Sequence, residues 1–548
     1  MAGRAGAGLV GLVVTGCSIA LAELLVRVAG SGPGPVEAVA EAFIDRTPAW
    51  LKDLAIAWFG TADKLALGAG IILVLGALAV VAGLAERTVR WRGSAVLVLL
   101  GLVAAAATLS RPDGGWGAVW PVVAGTAAGA LALPALAPRV GEPGHGAPVA
   151  GALAPPALVP SAGESATAAH GPAPAASGGG SAARGPTGLE WPTGPRPLDR
   201  RRLLIGAGAV AGVALAGATV TRVAGVRTPS PPIALPAPAT PAPPLPARAD
   251  LRIDGLAPFR TPNEDFYRID TAFVVPRVDP ATWTLRVHGL VEREVTLSLD
   301  DLLAEDLVEA WVTLCCVSNS VGGDLVGNAL WLGLPVREVL ARAGVAPGAD
   351  MVLSRSVDGF TASTPLEVLT DERDALLAVA MNGAPLPPEH GYPVRLVVPG
   401  LYGYVSATKW VSELKVTRFA DDVAYWTTRG WSAKAPVKIA SRIDVPRPGR
   451  TRRAGEVVVA GVAWAQHTGI GKVEVRVDDG DWQPAELGDL VSVDTWRQWF
   501  FRWDAPAGDH ALEVRATGLE GIVQTSQRRP PAPDGATGLH RVEVRVEA

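Results

Sequence analysis

The sequence predicts three parts: transmembrane helices at the N-terminus, a mixed α+β domain, and an all-β immunoglobulin-like sandwich at the C-terminus. Three observations carry this. Four long apolar stretches lie before residue 140, the composition turns globular at Asp250, and the segment after residue 431 breaks into short alternating runs cut by Gly, Pro and Asp-Gly turns. At 548 residues the chain also exceeds the ~250–300 residues at which one core stops growing, so several domains are expected.

The membrane region is expected over residues 1–137. Its stretches Gly8–Val28, Leu65–Ala85, Ser94–Leu109 and Trp116–Ala137 each approach the ~20 residues needed to cross a ~30 Å hydrocarbon core. Frequent Gly and Ala permit close helix packing in lipid. Arg4, Arg87, Arg90, Arg92 and Arg139 mark the cytoplasmic side, which places the loops 30–63 and 110–115 outside. Residues 138–200, rich in Ala, Pro, Gly and Ser, read as a disordered cytoplasmic linker. Leu203–Val220, apolar and preceded by Arg200–Arg202, makes residues 201–222 a fifth transmembrane helix or a twin-arginine-like anchor. The rest of the chain is then extracytoplasmic. Pro-rich residues 223–249 are expected to form an extended stalk.

Residues 250–430 mix both periodicities. "WTLRVHGLV" and "EAWVTLCCV" read as strands, "SLDDLLAE" as a helix capped by Ser298, and "LPVREVLARAG" as a helix stopped by Gly344. Residues 431–548 alternate strictly: Val473, Val475 and Val477 share one face of a strand, Glu474 and Arg476 the other. Asp479-Gly480 signals a hairpin. Trp464, Trp482, Trp496, Trp499 and Trp503 are expected to fill the sandwich core or an interface.

Bulk properties exclude several functions. The net charge of −4, with both signs interspersed, gives no footing for nucleic acid. All seven histidines lie outside the four stretches and Leu203–Val220, which excludes intramembrane bis-histidine haem. Three cysteines make neither a disulfide framework nor a zinc site, and no HExxH, GxSxG or Walker loop occurs. What remains is Cys315-Cys316 in "TLCCVSNS". The pair could be buried packing, a vicinal disulfide, or a thiolate for a soft metal; adjacent strand residues face opposite ways, so one at most reaches a shared site.

Three segments resemble the sulfite oxidase family of molybdenum enzymes. "TLCCVSNSVGGDLVGNALWLGLPV" (313–336) is similar to its cysteine segment, and "MNGAPLPPEHGYPVRLVVPGLYGYVSATKWVSEL" (381–414) to its M-N-G…H-G-x-P-V-R…K-W pattern. "TPNEDFYRIDT" (261–271) stands where the family has an Asn-containing loop. The resemblance implies a molybdopterin-binding catalytic domain over 250–430 and a dimerisation domain over 431–548, hence a possible homodimer. It implies a molybdenum cofactor held by the Cys316 thiolate, with Asn263 near the metal and Tyr267 and Arg268 near the pterin. Thr361 and Ser363 would line the pterin, and His390, Arg395, Ser406 and Lys409 would hold its phosphate. No haem or iron–sulfur module accompanies these segments, so a separate electron-transfer protein is implied.

The departures bear on substrate. Sulfite-oxidising members carry Arg where this chain has Ser320, Arg where it has Pro262, and Tyr where it has Val379. An oxyanion needs such fixed groups, so two-electron oxygen-atom transfer on a small neutral substrate, a sulfoxide, an N-oxide or another oxygen-atom donor or acceptor, is the expected reaction. The alternatives are a non-catalytic membrane-anchored binding or assembly protein that keeps the fold, and sulfite oxidation through a rearranged anion site with Arg268 as its cation.

Overall fold

The computed structural model describes residues 2–29, 34–48, 51, 63–111, 115–137 and 233–548. The first part is helical: α1 (Ala2–Ala29), α2 (Pro35–Arg46), α3 (Asp63–Thr88), α4 (Arg92–Leu109) and α5 (Trp116–Leu136). All but α2 are long and apolar enough to cross a membrane. The helices meet through small residues; a Cβ on Gly11 would strike the Ala79 carbonyl, and one on Gly83 the Ala7 carbonyl. Ile72, Leu73, Leu99, Leu102 and Leu131 face outward, as a lipid-facing surface requires. The proposed fifth span, Leu203–Val220, and the linker 138–200 lie outside the described residues.

Helix α2 has no counterpart in the sequence reading. Pro35 at its first position and Glu37, which accepts from the Gly34 N–H at 3.4 Å, start it. Glu23 of α1, the ionisable residue well inside a span, accepts the Val36 N–H at 3.3 Å and so ties α2 to the bundle.

The middle unit has two sheets. One runs β2–β1–β10–β5–β6, from β1 (Thr284–Gly289), β2 (Val295–Ser298), β5 (Met351–Ser356), β6 (Thr361–Pro365) and β10 (Val411–Thr417), with β1 and β10 parallel. The other runs β3–β4–β7–β8 with β9 beside β7, from β3 (Val308–Cys315), β4 (Val326–Pro335), β7 (Leu376–Met381), β8 (Ala384–Pro385) and β9 (Arg395–Val397). Helix α6 (Leu299–Leu303) starts with a reciprocal Ser298–Asp301 cap, and α7 (Val336–Ala343) ends at Gly344 with φ +69°. Leu285, Val287, Leu334, Val336, Val339 and Leu340, all fully buried, belong to the large core these elements share.

Residues 233–249 are not a free stalk. Ala239 N–H donates to Leu307 O at 2.8 Å, and Glu309 N–H to Thr240 O at 2.9 Å, so the Pro-rich segment lies along the outer edge of β3. An extended chain leaves its own N–H and C=O groups unpaired, and so does an edge strand; each satisfies the other.

The C-terminal unit stacks two sheets, β11–β13–β17–β16 and β12–β19–β18–β14–β15. The first comprises Ala440–Val445, Gly455–Trp464, Arg497–Ala505 and Glu486–Leu487. The second comprises Arg452–Arg453, His540–Glu547, Gly508–Gly518, Ile470–Val477 and Gln483–Pro484. Val459 and Trp499 from one meet Val473, Val514 and Val544 from the other in a dry core. The hairpin after β14 turns at Asp478 and Asp479, both at positive φ, one residue before the expected centre. Trp499 and Trp503 fill the sandwich, Trp464 and Trp496 belong to the core of the middle unit, and Trp482 lies under Arg476 and Arg515.

Candidate functional site

Strand β3 ends at Cys315, and the chain turns back to β4 through a loop that Cys316 opens. Cys316 N–H donates to Leu325 O at 2.9 Å, Asn319 N–H to Cys316 O at 3.1 Å, and Leu325 N–H to Asn319 Oδ1 at 3.0 Å. The loop is thus closed by its own Asn. Both cysteines are free and buried. Cys315 joins the large core and borders a small cavity, about 20 Å³, against the C-terminal unit. Burial pushes the Cys316 thiol above its ordinary pKa, while the Ser318 backbone and hydroxyl and the Lys409 ammonium pull it back.

The C-terminal unit braces this loop. Arg442 Nη1 donates to Gly323 O at 2.8 Å while Nε holds Asp444 at 2.6 Å. Just behind the cysteines, Thr313 N–H donates to Asp494 O, Thr313 O accepts from Gln466 Nε2 at 2.8 Å, and Thr313 Oγ accepts the Trp496 N–H at 2.7 Å.

Arg395 enters from β9 and is 5% exposed. Its guanidinium donates only to carbonyls, His390 O at 3.1 Å, Leu396 O at 3.4 Å and Ala407 O at 3.5 Å, and lies 5.1 Å over the Trp331 ring. Among the described residues no carboxylate pairs with it, and burial lowers its pKa to about 10. A buried cation without a counter-ion is costly, so the geometry fits an anionic group at this position.

Lys409 donates to Asp270 Oδ2 at 2.7 Å and to Glu389 O at 3.0 Å. Burial lowers its pKa to about 8 against the opposing pull of Asp270. Asp270 also takes Arg268 Nε at 2.9 Å. Tyr267 is close to the cysteines: a methyl on Gly403 would lie 3.8 Å from both its hydroxyl and the Cys315 carbonyl. Burial raises its pKa, with Cys316 adding to the shift and Arg395 opposing it.

The loop 261–271 is clamped by the M-N-G turn. Asn382, at φ +55°, donates to Thr261 O at 2.9 Å and Asn263 Oδ1 at 2.7 Å, while Asn263 Nδ2 reaches Met381 O at 3.3 Å. His390 Nε2 meets Asn263 O at 2.9 Å; a carbonyl only accepts, so that nitrogen carries the proton. Burial first, then Arg395, lowers the His390 pKa to about 4.

The sequence-predicted residues therefore fall into three groups. Cys316, Tyr267, Arg268, Arg395 and Lys409 form one electrostatically linked group. Asn263 and His390 form a hydrogen-bonded clamp beside them. Ser406 donates to Tyr402 O at 3.0 Å within a local turn, while Ser363 donates to Ala433 O at 3.4 Å and Thr361 accepts from Tyr425 N–H at 3.1 Å, so these two hydroxyls tie β6 to the segment 425–433. Of the positions that depart from sulfite enzymes, Val379 is fully buried in the core and Ser320 is exposed at the seam with the C-terminal unit. Asp270, Trp331 and Asn382 were missed. Asn382 was readable inside M-N-G; Asp270 was not, because its partner stands 139 residues away.

Among the described residues no three His, Cys, Asp or Glu side chains converge on one point. A metal at Cys316 would need ligands from an organic cofactor, and an anionic pterin phosphate or dithiolene suits the unpaired Arg395. The residues fit that group.

Residues 272–426 match the family model described as the oxidoreductase molybdopterin binding domain. The chain is 32% identical to human mitochondrial sulfite oxidase over 304 residues, covering 46% of this chain and 55% of that one. It is 35% identical to the uncharacterized oxidoreductase YuiH of Bacillus subtilis (strain 168) over 153 residues, 28% of this chain and 74% of that one. Among solved structures it is similar to the sulfane dehydrogenase SoxCD of Paracoccus pantotrophus, with TM-score 0.46 and 24% identity over 53% of this chain and 84% of that one. The chain spans about half the length of the sulfite oxidases it matches.

Proposed function

The chain belongs to the sulfite oxidase family of molybdopterin-binding oxidoreductases, and from that premise we propose that it is a membrane-anchored enzyme of two-electron oxygen-atom transfer. It would act on a small neutral substrate, a sulfoxide or N-oxide, outside the cytoplasm. The observation that carries this is Arg395: a buried guanidinium held by carbonyls alone, with the buried Cys316 thiol in the same electrostatic group.

When bound, the molybdenum cofactor supplies the redox centre and the oxygen-transfer chemistry. Cys316 would hold the metal as thiolate, the Lys409 ammonium favouring its deprotonation. Arg395 would pair with the cofactor's anionic part, and neutral His390 with Asn263 and Asn382 would hold the loop 261–271 over it. Arg268, the cation available to a rearranged sulfite site, is paired with Asp270, which supports a neutral substrate over sulfite. Electrons would arrive from a separate protein, and the C-terminal sandwich would offer the surface for a dimer.

Orientation draws on two independent lines. The Lys/Arg bias assigns the connections carrying α2 and Arg111 to the extracytoplasmic side. In the structure those connections touch the cofactor domain: Tyr425 hydroxyl donates to Asp45 Oδ1 at 3.1 Å, and Arg429 Nη2 to Asp45 O at 2.7 Å. Both lines support one extracytoplasmic compartment for site and loops.

The test is molybdenum and pterin analysis of the full chain, purified in detergent from a cofactor-competent host, beside Cys316→Ser. Stoichiometric metal in the wild type and loss of it in the variant are expected. Equal metal in both would sink the ligand assignment, and none in either would favour the non-catalytic reading.

A further inference from the structure

Between the membrane helices and the cofactor domain lies a polar cavity of about 240 Å³. Its bundle side is built by Glu41 of α2 and by Arg111; its other wall includes Thr271, the cation Arg355, Asp358, Phe360 and Tyr425. Glu41 and Asp45 are four residues apart on one helix and share a face. Both reach Arg111, Asp45 at 2.6 Å and Glu41 at 3.4 Å. Asp45 also holds Tyr425 and Arg429 and is thereby committed to docking. Glu41 is held more loosely, by the long Arg111 contact and the Phe273 N–H. The Arg111 side chain is 9% exposed, and among the described residues its buried Nε finds no hydrogen-bond partner.

The far wall backs onto the site. Asp358 caps the turn after β5, accepting the Phe360 N–H at 3.2 Å, and Asp270 and Lys409 act on it electrostatically. Thr271 follows Asp270, the carboxylate bonded to Lys409 at 2.7 Å. Lys409 is the cation that acts on the Cys316 thiol. The cavity thus runs from α2 to Asp358 and Thr271, and from that wall Asp270 and Lys409 link it electrostatically to Cys316.

We propose that this cavity is the proton port of the oxygen-transfer site, with Glu41 and Asp358 exchanging protons between solvent at the membrane surface and the cofactor domain. The inference rests on the oxygen-transfer reading. Reducing a sulfoxide to a sulfide takes two electrons, here from a one-electron carrier protein, and two protons, and it releases the oxygen as one water. The reverse reaction takes up that water and releases two protons. Either direction needs a path for protons into a site whose titratable groups are buried.

The electrostatics agree with the geometry. Burial, then the neighbouring Glu37, raise the Glu41 pKa to about 7; Arg111 and the Phe273 N–H oppose this and Asp358 adds to it. Burial also raises Asp358, against Ser356, the Phe360 N–H and Lys409, with Asp270 reinforcing the shift. A carboxyl that titrates near neutrality serves as donor and acceptor alike.

The experiment uses the full chain in detergent, wild type beside Glu41→Gln, Glu41→Asp and Asp358→Asn. Infrared titration of the protonated carboxyl stretch is expected to show a group with a midpoint of about 7 in the wild type, absent from Glu41→Gln. This readout needs no turnover, so it separates a failure here from a failure of the oxygen-transfer reading. With dimethyl sulfoxide and a reduced viologen, Glu41→Gln and Asp358→Asn are expected to lower kcat by roughly 100-fold at unchanged KM. Both should enlarge the solvent deuterium effect, and Glu41→Asp should retain most of the rate. An unchanged infrared titration in Glu41→Gln, or wild-type kcat with an unchanged pH profile in both carboxamide variants, would overturn the proposal.

Discussion

Arg395 shows how a single side chain can reveal a missing partner. Carbonyl contacts engage each of its three nitrogens but leave its charge uncompensated. Arg395→Met should therefore leave the cofactor-free chain no less stable in thermal unfolding while pterin content falls at least tenfold. A drop in both would make the residue structural. His390 loses its contribution on acidification, the same direction as a paired carboxylate, but because burial disfavours its charged form. Its folded pKa of about 4 lies below the ordinary 6.5, so the unfolded chain takes up the proton first as pH falls. Its contribution is present above pH 6.5 and lost towards pH 4, on the order of 3 kcal/mol at most. The urea midpoint followed by tryptophan fluorescence should fall over that window, and His390→Gln should flatten the dependence. At this scale the sequence was informative where a motif spelled out the residue, as at Cys316 and Arg395. Asp270 and Trp331 escaped because their importance comes from neighbours far along the chain.

Among the elements, periodicity carried the reading. The four spans, the Ser298 cap, the Gly344 stop and the Val473–Val475 face stand where apolar spacing put them. Helix α2 was hidden because twelve residues with four acidic or basic side chains resemble a loop. The docking of 233–249 was hidden because an extended Pro-rich chain looks alike whether it is solvated or lies on an edge strand. Strand β3 provides a test of its own. Thr313→Val keeps the strand's shape but leaves the Trp496 N–H and Asn328 without their hydroxyl partner. A loss of about 1–3 kcal/mol is expected in equilibrium unfolding, with molybdenum content falling alongside it. Unchanged metal content would show that the brace behind the cysteines does not position them.

For the whole molecule, the contact between α2 and the cofactor domain makes the membrane region more than an anchor. Arg111 is its keystone, joining Glu41 and Asp45 while Asp45 takes Tyr425 and Arg429. Arg111→Ala should remove the cation that both carboxylates share. Hydrogen exchange is expected to rise together in residues 35–46 and 425–430 and to stay at the wild-type level in the β-sandwich; exchange confined to one of the two segments would mean that they are not joined. No pattern in the sequence announced this contact, because its two sides lie |i−j| = 380 apart and each reads as an ordinary charged surface.

The grip on Thr313 also has a consequence for the order of manufacture. Gln466 and Trp496 follow it by 153 and 183 residues, so the strand that ends in the cysteines emerges from the ribosome long before its brace. The contacts that hold Thr313 can form only once the β-sandwich carrying Gln466 and Trp496 has been synthesised. A cofactor bound behind that brace would therefore meet the finished loop only after residues 466 and 496 have been made and folded into place.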